Sequence, residues 1–209
     1  MVLSGLIWPT VNLNATAGQP GDSDAAVRLV MADNGNTARY LVREQLAGVD
    51  FPNDAVSETN TVTGAVVFNA NGEVIQDESR IAVNITGLTS DNNRRDGYIQ
   101  RQILEGETYP VVELVPIQTS GLEFVLPSSG TATFDIVGYL TVRGVTEVTS
   151  RRVTAQFLEI SMTGTARTEF TFAEFGMEKP SVGTVLSVAD AIRLELDFNL
   201  NVENPVSSE

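Results

Sequence analysis

From Ala38 onward, apolar and polar residues alternate along most of this chain with a period of two. That spacing sends successive side chains to opposite faces of an extended strand. The last run is the most regular: Ile192, Leu194, Leu196, Phe198 and Leu200 alternate with Arg193, Glu195, Asp197 and Asn199, giving one dry and one wet face. The first run sets Tyr40, Val42 and Leu46 against Arg39, Arg43 and Gln45. Between them, similar patterns predict strands over 61–68, 80–86, 111–116, 131–142, 147–157 and 164–172, with Phe68, Ile85, Phe134, Ile136 and Phe170 on apolar faces. Asn71-Gly72 supplies the turn of a hairpin, Arg143-Gly144-Val145-Thr146 makes a tight connection, and Gly138 marks a bend or bulge inside a strand. The result is an all-β chain of about eight antiparallel strands. The periodicity suits a sandwich as well as a closed barrel, but closure leaves no edge exposed to aggregation.

Residues 91–104 break the alternation. Asp91 or Asn92 can cap a helix, Asp96 lies in its first turns, and Ile99 and Ile103 share a face at i, i+4. This predicts one short helix after the third strand, lying across an open end with Tyr98, Ile99 and Ile103 turned inward. The lead-in, residues 1–37, reads as partly irregular with a short helix around 24–31 capped by Ser23 or Asp24. The barrel domain then spans 38–203 and a tail 204–209. Met1 to Trp8 is apolar but short, lacks a basic residue and runs into Pro9. It makes a poor signal peptide and reads as a loosely packed terminal strand.

Composition narrows the chemistry. Hydrophobic content is 42%, and the apolar runs fall well short of a bilayer span, so the chain is not membrane-spanning as written. A net charge of −14, from 27 acidic against 13 basic residues, repels phosphate backbones and argues against nucleic-acid partners. Lacking Cys and His, the chain has no thiol nucleophile, no disulfide and none of the common zinc sets. Asp91-Asn92-Asn93 lacks the Gly and terminal Glu of a calcium loop, so no metal and no cofactor is expected. Lys179 is the sole lysine; the other cations are arginines, suited to bidentate contact with carboxylate or phosphate.

Three further stretches carry a family likeness. Arg94-Arg95-Asp96 is followed by Tyr98 to Leu104 and by Tyr109-Pro110 before a strand; Leu140-Thr141-Val142-Arg143-Gly144-Val145-Thr146 forms a later turn; Phe172-Ala173-Glu174-Phe175-Gly176-Met177 precedes the last strand. In order and spacing, over residues 38–201, these resemble the YceI-like family. Where its members commonly carry His, near Gly97 and Arg143, this chain has none, and Ile103-Leu104 stands near the place of the usual aromatic pair.

The resemblance implies a lipocalin-like barrel that binds an isoprenoid or acyl-chain lipid without catalysis, outside the cytoplasm in the periplasm or cell envelope. If the strands close, Tyr40, Val42, Phe68, Ile85, Tyr98, Ile99, Ile103, Phe134, Ile136, Phe170, Leu194, Leu196 and Phe198 form the apolar interior. Plain core packing accounts for any one of them, and the resemblance turns the set into a candidate cavity. Arg94, Arg95, Arg101 and Arg143 are candidates for a polar or anionic head group. The alternative for these arginines is salt bridging, with Arg95 paired to its neighbour Asp96. Two other functions fit the same strands: a filled, partner-binding module of the cell envelope, and a hydrolase using two carboxylates on a glycan, although no pair of acids stands out. A homodimer is compatible with the sequence.

Overall fold

A computed structural model describes residues 25–203. Ten strands form one antiparallel sheet: β1 (Ala25–Met31), β2 (Thr37–Leu46), β3 (Asn53–Thr59), β4 (Val62–Asn69), β5 (Arg80–Asn84), β6 (Val111–Ser120), β7 (Gly130–Val142), β8 (Val145–Phe157), β9 (Ser161–Thr171) and β10 (Val185–Glu203). β1 pairs with both β4 and β10, which closes eight of the strands into a ring. The 19-residue β10 holds two partners along one edge: its last residues pair with β1, and the stretch from Val185 to Asp197 pairs with β2. β3 in turn pairs with β2 and leads into β4, so the chain passes twice along the ring at this edge.

Two elements differ from the sequence reading. The segment expected as a helix around 24–31 is strand β1, with Val27 and Leu29 buried while Arg28 between them is exposed. Its alternation is too short to stand out from an Ala-containing, helix-compatible composition, and pairing on both edges decides the outcome. β3 leaves no mark in the hydrophobic pattern, because its buried residues are Ala55, Ser57 and Thr59, which give a period of two with almost no hydrophobic contrast. Met1 to Trp8, the caps Ser23 and Asp24, and the tail 204–209 lie outside the described residues.

Two glycines shape the ring. Opposite Gly138 of β7, the pairing slips between Pro116 and Gln118, so the irregularity lies on β6. A Cβ at Gly138 would stand 2.6 Å from the Val115 carbonyl oxygen, which explains the glycine. Val142 pairs with Val145 across the two-residue turn Arg143-Gly144, whose φ values of 51° and 75° are both left-handed.

Apolar side chains gather in two clusters along the ring. One, including Leu29, Phe68, Phe134, Val153 and Phe198, lies toward β1; the other, including Val42, Ile103, Leu140, Phe170 and Phe175, lies toward the helix. The wet faces carry ion pairs between strands, among them Arg39–Asp197 at 2.7 Å, Arg167–Glu195 at 2.9 Å and Arg193–Asp54 at 2.6 Å. No helix among the described residues is long and apolar enough to cross a membrane.

Candidate functional site: an interior cavity

The inward faces of the strands do not meet. They enclose a cavity of about 680 Å³ that reaches from the β1 cluster to the helix. Every apolar candidate named from the sequence lines it, from Tyr40 and Val42 on β2 to Leu194, Leu196 and Phe198 on β10. Val49, Arg94 and Val182 are exposed and also line it, so it opens at the helix end.

The helix is built to sit at that opening. Asn92 caps α1 (Asn93–Tyr98), its side-chain oxygen accepting from the backbone N–H groups of Arg94 at 3.0 Å and Arg95 at 3.2 Å. The next turn, Ile99–Ile103, is π-helical, with the Leu104 N–H donating to the Ile99 carbonyl at 2.8 Å. This wider winding replaces the α register expected from i, i+4 spacing, yet Ile99 and Ile103 still both line the cavity. Local anchors accompany it: the Gln100 amide donates to the Ile85 carbonyl, and the Gly106 N–H donates to the Gln100 carbonyl. Such π segments recur at functional sites.

The four candidate arginines are not brought together. Arg95 lines the cavity and donates from Nη2 to Glu44 Oε1 at 3.1 Å and from Nη1 to Asp91 Oδ1 at 2.8 Å. Its expected partner Asp96 instead accepts from the Ser90 N–H at 3.0 Å, because that carboxylate folds back onto the loop entering the helix. Arg94 lines the opening and makes no ion pair among the described residues. Arg101 is exposed and lies outside the lining. Arg143, also outside it, bonds to Glu105 and donates to the Gly176 carbonyl at 3.2 Å, tying the β7–β8 turn to the two loops beside it.

Three polar residues of the interior were not singled out from the sequence. Glu44 is buried on the inward face of β2, where Arg95 reaches it. Ser57, on β3, donates from Oγ to the Tyr40 phenolic oxygen at 2.9 Å; burial pushes the Tyr40 hydroxyl up from its ordinary range, while the Ser57 bond acts the other way. Arg151 is the most unusual. It shares the buried face of β8 with Val153, Ala155 and Phe157, it is 7% exposed, and it lines the cavity. The period of two running back from Phe157 carries this signal, which places Arg151 in phase with the apolar residues. Burial lowers its pKa to about 10, which leaves it charged at neutral pH.

Comparison with curated protein sequences gives no significant match. Solved structures share the fold at low identity. A polyisoprenoid binding domain from Saccharophagus degradans, implicated in plant cell wall breakdown, aligns with a TM-score of 0.64 at 11% identity, covering 86% of this chain and 99% of its own. BcnA of Burkholderia cenocepacia aligns at 0.57 and 13%, covering 78% and 95%. The YceI protein of Campylobacter jejuni aligns at 0.52 and 14%, covering 79% and 91%. The YceI-like domain pattern itself matches residues 24–200, and this protein therefore belongs to the YceI-like family.

Proposed function

We propose that this protein binds the hydrocarbon chain of an amphiphilic lipid, a polyisoprenoid or a related acyl-chain molecule, inside the strand ring and carries it without catalysis. The observation that bears most weight is the cavity: about 680 Å³, within the roughly 300–1,000 Å³ common for ligand sites, and lined mainly by aliphatic and aromatic side chains. Each ligand methylene moved from water into such a lining contributes about 0.8 kcal/mol, so a long chain is retained without any specific polar contact. The likeness to a domain described as polyisoprenoid-binding supports the same ligand class. Work outside the cytoplasm, in the periplasm or cell envelope, rests on the family resemblance.

The competing readings fit less well. A purely structural module calls for an interior filled by its own side chains, and here the facing residues stand apart around open space. A two-carboxylate hydrolase calls for a pair of acids facing one site. The two carboxylates that line the cavity, Glu44 and Glu195, are each held in ion pairs, Glu44 by Arg95 and Glu195 by Arg167 and Arg39.

The test is organic extraction of the purified protein followed by mass spectrometry, with added polyisoprenoid alcohol and fatty acid offered to the stripped protein. A co-purified lipid or one-to-one uptake is expected. An extract free of lipid together with no saturable uptake contradicts the reading.

A further inference from the structure

Arg151 poses a problem that a hydrocarbon ligand alone does not solve. The guanidinium is buried on the inward face of β8, opposite Ile136 of β7 and one step from Val153. Its Nη2 donates to Thr149 Oγ1 at 2.9 Å, while Nη1 is buried with no hydrogen-bond partner. No carboxylate among the described residues pairs with it; Glu44, the buried acid of the interior, belongs to Arg95. Every other arginine that faces a buried acid or bridges two strands finds its counter-charge, as Arg39 and Arg95 do. A buried charge lacking both a counter-ion and a full set of acceptors is costly, and an acceptor brought by a ligand would offset that cost.

The geometry points to Arg151 as an internal receptor for the acid group of the bound lipid, so that the ligand is an amphiphile ending in a single negative charge, a carboxylate, held within the ring and not at the helix mouth. This rests on the proposed lipid binding and specifies its ligand. Nη1 is a donor that no protein acceptor takes up, on a side chain that lines the cavity, and a planar carboxylate matches a guanidinium edge. One unpaired cation balances one anionic charge. A phosphomonoester or diphosphate would bring a second negative charge into apolar surroundings with no second unpaired arginine beside it. Mid-strand placement sets the acid between the two apolar clusters, with Val153 and Ile136 on one side and Leu140 and Phe170 on the other.

The experiment compares a long-chain fatty acid, its methyl ester and an isoprenyl monophosphate as ligands of the full chain at neutral pH, in the wild-type protein and in Arg151→Met. The wild type is expected to bind the acid on the order of ten- to a hundredfold more tightly than the ester, as a charge-assisted hydrogen bond dictates, and more tightly than the phosphate. Arg151→Met is expected to abolish the preference for acid over ester, and its melting temperature should equal or exceed that of the wild type.

Equal affinity for acid and ester, a preference that survives Arg151→Met, or a preferred phosphate each overturns the receptor while lipid binding stands. Failure of all three ligands to bind overturns lipid binding itself. If the variant fails to fold, nitrogen-detected NMR of the wild-type guanidinium decides: the Arg151 side-chain resonance should shift with added acid and not with ester, and an identical response to both overturns the assignment.

Discussion

Arg95 Nη2 stands 3.1 Å from Glu44 Oε1, joining the inserted helix to the inward face of β2 across the cavity's helix end. Both side chains are largely removed from water, so the pair fixes the position of the helix more than it adds free energy. Truncating either partner strands the other charge. Arg95→Ala is expected to lower the unfolding free energy by about 3 kcal/mol, or roughly 6–12 °C in melting temperature for a chain of this size. Glu44→Gln added to Arg95→Ala should recover a substantial part. Thermal and urea denaturation of the single and double variants measures both.

The cavity can be filled from within. Leu194 lines it from β10, between Tyr40 of β2 and Thr168 of β9 in the pairing. Leu194→Trp places an indole in space that a ligand chain would occupy. Excluding two methylenes costs about 1.6 kcal/mol at 0.8 kcal/mol each, so lipid affinity should fall by tenfold or more in a fluorescence titration, with the melting temperature changed by only a few degrees. An affinity that stays the same places the lipid elsewhere.

Gly144 marks the place where separate parts of the chain converge. Its φ is 75°, and a Cβ there would stand 2.9 Å from the Tyr109 ring, while neighbouring Arg143 reaches Glu105 and the Gly176 carbonyl. Gly144→Ala combines left-handed strain of about 1–2 kcal/mol with that contact. Its urea midpoint should shift down accordingly, and the additional change Tyr109→Ala should return part of the loss.

Acid should weaken one interstrand tie on the outer face. The hydrogen bond from Arg193 holds the Asp54 carboxyl below the usual range, with partial burial opposing and Arg43 adding to the effect. Because the folded-state pKa is depressed, the stabilisation is present above the unfolded value of about 3.9 and is lost as pH falls through the lower folded value. Asp54→Asn should cost about 0.5 kcal/mol near neutral pH, as suits a partly exposed pair, and nothing in strong acid. Urea midpoints followed against pH give the slope.

Much of this architecture is legible in the residue pattern. Ile192 to Leu200 alternate without exception, and the structure keeps that face toward the cavity. Arg143-Gly144-Val145-Thr146 reads as a tight connection, and the structure confines the turn to Arg143-Gly144. What stayed hidden has physical causes. β1 is defined by pairing partners distant in sequence, and β3 turns only Ala55, Ser57 and Thr59 inward, so hydrophobic contrast fails. Arg95 lies beside Asp96 in sequence, but adjacent helical residues point apart; Glu44, far away in sequence, faces it across the interior. Arg151 is in phase with Val153 and Phe157, but it carries no hydrophobic signal, and its neighbour Arg152 faces out to Asp135 at 2.7 Å.

Occupation of the interior is most directly observed with methyl-labelled protein in an NMR titration against a long isoprenoid alcohol. Ile103, Val153 and Leu196 report from the cavity wall, and Leu158, Ile160 and Leu186 from the exposed surface. Lipid binding inside the ring predicts saturable one-to-one shifts in the first group with the second unmoved. Shifts confined to the exposed methyls, or none that saturate, would contradict it.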